Sequence, residues 1–373
     1  MRQWLSGLLA IGLLAGFALA ADDAGIPKLK KEIKEEGDQK LNWVWQPLVA
    51  DSLLFLSVHR SGTINIYSRD TATGDIKYLS AIPLAADLGS PGRHLDPHMA
   101  FVSKLNIIYA AGEWTHAGSD KDNIGLSWYQ VDPKDGLPKK QGKIACSAGV
   151  LYLSPDPSVL HLAAKFLGEA HTITLAADGT PTVGDVVKGK GLGKTLLYSP
   201  DNKFVYSAAA GGTLAWMECS AEGKLKYVAS LALPDAPGGE PCLFMSPDGK
   251  HVYVTLSRYG QKEAAFGAIL NRDAKTGALT LAETFAMREM VGAERAVVSD
   301  DGKSVYVAAG PECPASGLSC LKRDLDTGRL TFVSKVRGVA PTSFLAYDPK
   351  TATIYTGGSF SRSGFAIVGL PKD

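Results

Sequence analysis

One stretch of the chain is the best guide to its fold: Ser246-Pro247-Asp248-Gly249-Lys250-His251-Val252-Tyr253-Val254. Its Ser-Pro-Asp-Gly turn separates the apolar run Cys242-Leu243-Phe244-Met245 from an alternating run, which is typical of a tight connection between antiparallel strands. A second turn follows at Asp273-Ala274-Lys275-Thr276-Gly277, where glycine supplies the positive φ that closes a hairpin. Together the two turns predict one unit of four short antiparallel strands.

This unit recurs along the chain. The first turn is repeated at Ala50-Asp51, Ser103-Lys104, Ser154-Pro155-Asp156-Pro157, Ser199-Pro200-Asp201-Asn202, Ser299-Asp300-Asp301-Gly302 and Asp348-Pro349-Lys350. The second turn is repeated at Asp70-Thr71-Ala72-Thr73-Gly74, Asp132-Pro133-Lys134-Asp135-Gly136, Ala177-Asp178-Gly179, Ser220-Ala221-Glu222-Gly223 and Asp326-Thr327-Gly328. A period of about 40 to 50 residues with these signals predicts an all-β fold, a seven-bladed β-propeller of four-stranded antiparallel blades.

The seventh unit is one strand short. After apolar runs at 342–347, 353–357 and 364–370 the sequence stops at Asp373, before a fourth strand. Residues 28–36 stand before the first unit at the spacing of a fourth strand, so we expect them to complete the last blade and remove free sheet edges. The alternative is a charged, solvated helix, because the segment is rich in Lys and Glu.

Composition agrees with a large globular body. The chain has 373 residues, 45% of them hydrophobic, and its 39 basic residues nearly balance its 38 acidic ones. We therefore expect residues 28–373 to form one propeller domain, a monomer that does not bind nucleic acid.

The N-terminus has the pattern of a secretory signal peptide. Arg2 precedes an apolar stretch at 8–19, and Ala18-Leu19-Ala20 offers small residues before a cleavage site at Ala21. We predict a signal peptide at 1–20, a linker at 21–27 and export to the periplasm or the medium, without stable membrane insertion after cleavage. The alternative, an uncleaved anchor, fits less well because the apolar stretch is short for a membrane span.

The predicted exported chain contains five cysteines, an odd number that leaves at least one unpaired. Cys313 and Cys320 flank the tip between the second and third strands of the sixth blade, so we predict a disulfide between them. Cys146 and Cys242 fall in inner strands, where a thiol is more often buried packing than a nucleophile.

The predicted topology sorts the polar residues between two faces. Both repeated turns lie on one face, whereas the tips between second and third strands and the connections between blades converge on the other, at the channel mouth. We place five of the seven histidines on the mouth face: His59, His94, His98, His116 and His171. The same face has the acidic residues Asp96, Glu113, Glu169, Glu240, Glu294 and Glu312 and the cationic residues Arg60, Lys194, Arg258, Arg295 and Arg362. His161 and His251 do not belong to this set.

Three interpretations of this set are open. His94 and His98, with Asp96 between them and Glu113 or His116 nearby, could hold a divalent metal such as zinc. The same residues could instead form an acid–base site without a cofactor, since a histidine near a carboxylate exchanges protons near neutral pH. The third interpretation is an ordinary polar rim of solvated loop tips.

The repeated phrases resemble those of the seven-bladed lactonase family, which includes bacterial 6-phosphogluconolactonase and fungal muconate-lactonizing enzymes. The resemblance covers nearly the whole chain after residue 28 and implies a hydrolase whose acid–base side chain acts on a lactone while arginines hold carboxylate or phosphate. At the positions where that family carries its working residues, this chain has Leu192 and Lys194, Pro241-Cys242, Ser257 and Gly310.

Because this chain differs from the family at these motif positions, two classes of function are open. The first is a non-catalytic exported propeller that binds a small molecule or a protein partner at the channel mouth, through His59, Arg60, Glu169, His171, Arg258, Arg295 and Arg362. The alternative is a lactonase whose site has moved to blades 1 to 3, with His94, His98, Glu113 and His116 as its expected catalytic residues.

Overall fold

The computed structural model describes a set of segments that covers all seven blades. These are residues 27–33, 35–36, 39–41, 43–87, 96–113, 125–164, 167–257, 263–293, 295–309, 317–336, 339, 342–358 and 364–371. The predicted signal peptide and all but the last residue of the predicted linker fall outside these segments. Among the described residues no helix is long and apolar enough to cross a membrane.

The prediction of seven four-stranded antiparallel blades is confirmed. Blade 1 has strands β4 Val44–Ala50, β5 Leu53–Val58, β6 Thr63–Arg69 and β7 Ile76–Ile82; blade 2, β8 Asp96–Val102, β9 Ile107–Glu113, β10 Leu126–Val131 and β11 Pro138–Ile144; blade 3, β12 Val150–Leu153, β13 Val159–Ala164, β14 Glu169–Leu175 and β15 Pro181–Lys188; blade 4, β16 Leu197–Tyr198, β17 Phe204–Ala208, β18 Thr213–Cys219 and β19 Leu225–Ala232; blade 5, β20 Glu240–Met245, β21 His251–Ser257, β22 Ala265–Arg272 and β23 Leu279–Met287; blade 6, β24 Arg295–Val298, β25 Ser304–Ala309, β26 Gly317–Arg323 and β27 Leu330–Lys335; blade 7, β28 Thr342–Asp348, β29 Thr353–Gly358 and β30 Phe365–Gly369, with β1 Lys28–Ile33 as its fourth strand.

Three short helices and a two-stranded ribbon accompany the blades. The α-helix α1 spans Leu84–Asp87 after blade 1, and 3-10 helices span Ser103–Leu105 and Arg288–Met290. The ribbon pairs β2 Glu35–Glu36 with β3 Gln39–Lys40 on the way into blade 1.

The N-terminal strand closes the ring, as predicted. β1 pairs antiparallel with β30, from Lys28 opposite Gly369 to Ile33 opposite Phe365. A strand forms here instead of the alternative helix because β30 supplies a row of backbone partners and Ile33 packs into a core shared with blade 1. The strand ends earlier than the predicted residue 36, since Glu35 and Glu36 belong to the ribbon.

The first strands of successive blades contact one another, so they surround the axis. Between blades lie apolar clusters such as the one that Tyr206 and Trp216 of blade 4 form with Leu243 and Val254 of blade 5. This arrangement puts the start of every first strand at one end of the channel, where the blade-to-blade connections arrive.

At the opposite end of the channel, a tyrosine hydroxyl of one blade donates to a glycine carbonyl in the second turn of the next blade. We call this contact the tyrosine latch. The Tyr253 hydroxyl, in β21, donates to the carbonyl of Gly328, in the second turn of blade 6, at 2.8 Å. The same position supplies Tyr109 to Gly179 at 2.5 Å, Tyr206 to Gly277 at 3.0 Å, and Tyr355 to Gly74 at 2.7 Å. The repeated Val-Tyr-Val phrase therefore encodes contacts between blades as well as a strand.

Arginines reinforce this latch at some junctions. Arg323, which ends β26, donates from Nε to the Tyr253 hydroxyl at 2.8 Å, and its Nη2 lies 3.7 Å from Asp248 in the first turn of blade 5. Arg272 repeats the contacts one blade earlier, with Tyr206 and Asp201, each at 2.8 Å. Arg69 pairs with Asp348 where the ring closes. The Asp of the first turn thus serves the turn and the junction together.

Candidate functional site

The channel mouth is built from side chains at the starts of first strands. Trp45 enters from blade 1, His98 from blade 2, Arg295 from blade 6 and Phe344 from blade 7. Because first strands lie side by side around the axis, these residues converge although they are far apart in sequence.

Aromatic rings form the body of this mouth cluster, which we define as Trp43, Trp45, His59, His98, Arg295 and Phe344. The ring centroids of Trp45 and Phe344 are 4.5 Å apart, and those of Trp43 and His59 are 4.1 Å apart. The Trp45 indole N–H donates to Nε2 of His98 at 3.4 Å. Trp45, His59, His98 and Phe344 are each at most 5% exposed, so the part of the cluster that a ligand can reach is the half-buried Trp43 and Arg295.

Arg295 brings positive charge to the cluster. Its guanidinium carbon lies 5.6 Å from the centre of the Phe344 ring, within the range of a cation–π contact. Arg295 is half-buried, which strengthens its field because fewer water molecules screen it.

An ion pair extends the polar part of the mouth toward blades 4 and 5. Lys194, before β16, contacts Glu240, the first residue of β20, with 2.9 Å between Nζ and Oε2. The Lys194 side chain is 11% exposed and that of Glu240 27%. Both signs of charge therefore lie where the first strands of blades 4 and 5 begin, at the same end of the channel as the mouth cluster.

Two hydrogen bonds between the Gln46 side chain and the Met99 backbone fix the mouth cluster in place. Gln46, next to Trp45, accepts at Oε1 from the Met99 amide at 2.8 Å and donates from Nε2 to the Met99 carbonyl at 3.3 Å. Since Met99 follows His98, this clamp holds Trp45 and His98 in a set relation. Trp43 has a left-handed φ of 68°, a conformation costing about 1 to 3 kcal/mol that proteins tend to retain at functional sites.

The structure brings together three of the predicted site residues. His59, His98 and Arg295 belong to the mouth cluster, and the two histidines are 3% and 2% exposed. Arg60 is exposed at the adjacent tip of blade 1. His98, a predicted catalytic residue, is thus packed among aromatic rings.

Glu169 and His171 form a separate group. They lie on the third strand of blade 3, away from the axis, with 3.3 Å between Glu169 Oε2 and His171 Nε2. Lys188 on the fourth strand contacts the other carboxylate oxygen at 2.5 Å, and its hydrogen bond lowers the pKa of Glu169. The structure does not place this pair beside the mouth cluster.

Several predicted residues fall outside the described segments. They are His94, His116, Arg258, Glu294, Glu312, Cys313 and Arg362. Glu113 ends β9 opposite Asp96, and only its backbone is described. Within the described part of the chain no three His, Cys, Asp or Glu side chains gather closely enough to hold a metal ion, so the metal hypothesis stays a prediction.

Among the described cysteines, Cys242 and Cys320 are buried, whereas Cys146 and Cys219 are half-buried. Cys320 carries a free thiol within an apolar cluster, where burial raises its pKa to about 11, and burial raises that of Cys146 to about 12. The structure gives no support to the predicted Cys313–Cys320 disulfide, which stays a prediction because Cys313 lies outside the described residues.

Sequence reasoning missed Trp43, Trp45, Gln46 and Phe344. The available signal was the pair of tryptophans in Trp43-Val44-Trp45, just where the first inner strand begins. Two large aromatic residues at a loop-rich face are unusual for a solvated rim.

The sequence matches no family profile and no curated protein. Among solved structures, a candidate 6-phosphogluconolactonase from Bacteroides fragilis is 20% identical, with 78% of this chain and 83% of that chain covered and a TM-score of 0.62. A periplasmic gluconolactonase from Pseudomonas aeruginosa is 16% identical, with 90% of each chain covered and a TM-score of 0.66.

A protein of different name has a comparable likeness. Hydrazine synthase from Kuenenia stuttgartiensis is 14% identical, with 91% of this chain and 99% of that chain covered and a TM-score of 0.66. A shared propeller therefore does not carry an activity with it. The comparisons confirm the fold resemblance: this chain is a seven-bladed β-propeller of the kind found in 6-phosphogluconolactonase-like proteins.

Proposed function

We propose that the protein binds a small molecule at the channel mouth. The observation that carries this proposal is the convergence of Trp45, His98, Arg295 and Phe344 from four blades. Mouths lined by aromatic side chains with a few polar groups are the usual ligand sites of such folds.

The composition of the mouth cluster indicates the kind of ligand. A ring can lie against the half-buried Trp43 indole, and the half-buried Arg295 guanidinium suits a carboxylate or phosphate on that ring. The Lys194–Glu240 pair can hydrogen-bond to hydroxyl groups at the edge. We therefore expect an acidic, ring-containing molecule.

The experiment is calorimetric titration of the mature protein with sugar acids and their lactones. We expect saturable binding of at least one acidic compound, weakened about tenfold or more in Arg295→Gln because a charge-assisted hydrogen bond is lost. The matched control is Arg329→Gln, which alters an exposed ion pair on the outer strands. Equal affinity of both variants and the wild type would contradict the proposal.

Lactone hydrolysis is the second candidate, favoured by the fold shared with a gluconolactonase and by two histidines in the mouth cluster. Turnover of any lactone in the same panel, lost in His98→Ala and kept in Lys194→Ala, would make the protein an enzyme. A parallel assay after chelation would show whether turnover needs a metal.

We also propose that the protein is exported. The apolar stretch at 8–19 with its small-residue cleavage pattern supports export, and a periplasmic gluconolactonase shares the fold. N-terminal sequencing of the protein recovered from a secreting host should begin at Ala21. Recovery of the intact Met1 N-terminus in the cytoplasm would contradict export.

A further inference from the structure

A groove of about 390 Å³ opens between blades 3 and 4, away from the channel mouth. Its lining includes Asp156 from the first turn of blade 3, Thr172 and Asp185 from the outer strands of that blade, and Glu222 and Lys224 from the second turn of blade 4. This volume lies within the range of about 300 to 1,000 Å³ that small-molecule sites occupy.

The groove exists because one position departs from the repeat. Thr172 stands three residues before the end of the third strand of blade 3. The corresponding residues in blades 1, 2, 4, 5 and 6 are Ile66, Trp128, Trp216, Ile269 and Cys320, all buried in clusters between blades. Thr172 is smaller than the isoleucine or tryptophan of blades 1, 2, 4 and 5, and unlike Cys320 of blade 6 it carries a hydroxyl and lines an open groove at the junction with blade 4.

The hydroxyl at the floor of this groove is buried and unsatisfied. Thr172 is 3% exposed, and among the described residues its Oγ1 has no hydrogen-bond partner. A buried hydroxyl without a partner costs free energy, which a ligand atom at this point would recover.

A β-bulge lies beside Thr172, at the position where blades 1, 2, 4, 5 and 6 also carry one. The register of β14 and β15 passes from His171 opposite Val186 to Ile173 opposite Val183, so Gly184 and Asp185 share the place opposite Thr172. A Cβ atom at Gly184 would meet only the Thr172 carbonyl, at 3.3 Å. A larger side chain at Gly184 therefore fills part of the groove once the Thr172 carbonyl gives way by a few tenths of an ångström.

The charge of the groove selects its ligand. Asp156, Asp185 and Glu222 bring three carboxylates against the single ammonium of Lys224, which leaves two net negative charges. Carboxylates and a hydroxyl acceptor suit ammonium groups, whereas the spacing of these acids is too open for a metal site. We propose that this groove binds a small organic diammonium ion, with one ammonium on Thr172 and Asp185.

The test is calorimetric titration of the full-length mature protein with 1,4-diaminobutane, with butane-1,4-diol as the neutral probe. We expect one saturable site for the diamine at millimolar or lower concentration and no heat from the diol. Thr172→Val should weaken diamine binding about tenfold, and Gly184→Leu should abolish it by filling the groove. Asp185→Asn should weaken it about two- to fivefold.

Two controls separate this site from the mouth and from general effects of buried threonines. Thr255→Val removes a hydroxyl that is equally buried and also unpartnered among the described residues, and it should leave diamine binding unchanged. Arg295→Gln should also leave it unchanged. Any of three results would overturn the proposal: no saturable binding to the wild type, equal binding of the diol, or full binding to Gly184→Leu. The Gly184→Leu result decides even if Thr172→Val fails to fold.

Discussion

The two ends of the channel differ in how closely they follow the repeat. At the turn end, Tyr253, Arg323 and Asp248 recur as Tyr206, Arg272 and Asp201 one blade earlier. At the mouth, each contributing blade supplies a different residue type. Repetition across blades thus marks the residues that hold the ring together, and departures from it mark candidate sites, at the mouth and at the groove of blades 3 and 4.

The largest loss of stability is expected at the turn end of the channel where the ring closes, between blades 7 and 1. Arg69→Ala should lower the free energy of unfolding by about 3 to 5 kcal/mol, because it leaves Asp348 buried without its ion-pair partner. Urea unfolding followed by circular dichroism measures this. The control Arg329→Ala, in an exposed pair with Glu283, should change stability little. Equal effects would show that the arginines at the turn end are not structural.

The junction of blades 3 and 4 offers a pH test, since His161 replaces the latch tyrosine there. Nε2 of His161 lies 2.7 Å from the Gly223 carbonyl and Nδ1 lies 2.5 Å from the Tyr198 hydroxyl, so the ring fits as a neutral donor and acceptor. Burial lowers the pKa of His161 to about 4, below its unfolded value of about 6.5.

The direction of the pH effect on stability follows from proton uptake by the unfolded chain. Below pH 6.5 the unfolded chain binds a proton at His161 that the folded chain excludes, so stability falls as pH drops from about 6.5 to 4, by up to about 3 kcal/mol. His161→Gln should show a smaller decrease over this range in thermal unfolding at constant ionic strength. An unchanged pH profile would show that His161 is not the group responsible.

A smaller effect is expected for a single latch hydroxyl. Tyr253→Phe removes the hydroxyl that donates to the Gly328 carbonyl and accepts from Nε of Arg323, so we expect a loss of about 1 to 3 kcal/mol in the free energy of unfolding. Tyr306→Phe alters the same position in blade 6, where blade 7 has no second turn because its fourth strand comes from the N-terminus. The loss there should be smaller, and a larger loss for Tyr306→Phe would contradict the latch.

Stability should change least at the mouth. Arg295→Gln replaces a half-buried charge at the start of a strand, so we expect the melting temperature to stay within about 2 °C of the wild type while ligand affinity falls. Differential scanning calorimetry checks this. A large loss of stability would mean that Arg295 is a structural residue like Arg69.

The turns at one end of the channel could be predicted from the sequence, but the residues that meet at the mouth could be predicted only in part. Turns such as Ser246 to Gly249 act locally, and glycines with positive φ, 67° at Gly249 and 70° at Gly277, indicate where strands reverse. The meeting of Trp45, Phe344 and Arg295 depends on the closed ring, which joins residues from opposite ends of the chain. Sequence periodicity placed His98 at the mouth face, but it could not show which rings would surround it.

The same limit explains why Glu169 and His171 were grouped with the mouth. Both follow the tip of blade 3, so topology put them on the correct face. Their distance from the axis depends on which strand carries them, and they begin the third strand rather than the first. The pairing of Glu169 with Lys188 on the fourth strand then follows from the register.

The most direct test of ligand binding at the mouth is a fluorescence titration of the sugar-acid and lactone panel against wild type, Trp43→Phe and Trp128→Phe. Trp43 is the half-buried tryptophan of the mouth cluster, whereas Trp128 lies between blades 2 and 3. We predict that an acidic panel compound changes the emission of the wild type and of Trp128→Phe saturably, and that Trp43→Phe loses most of the change. A response that Trp43→Phe keeps in full, or no response from any compound, would contradict a ligand site at the mouth.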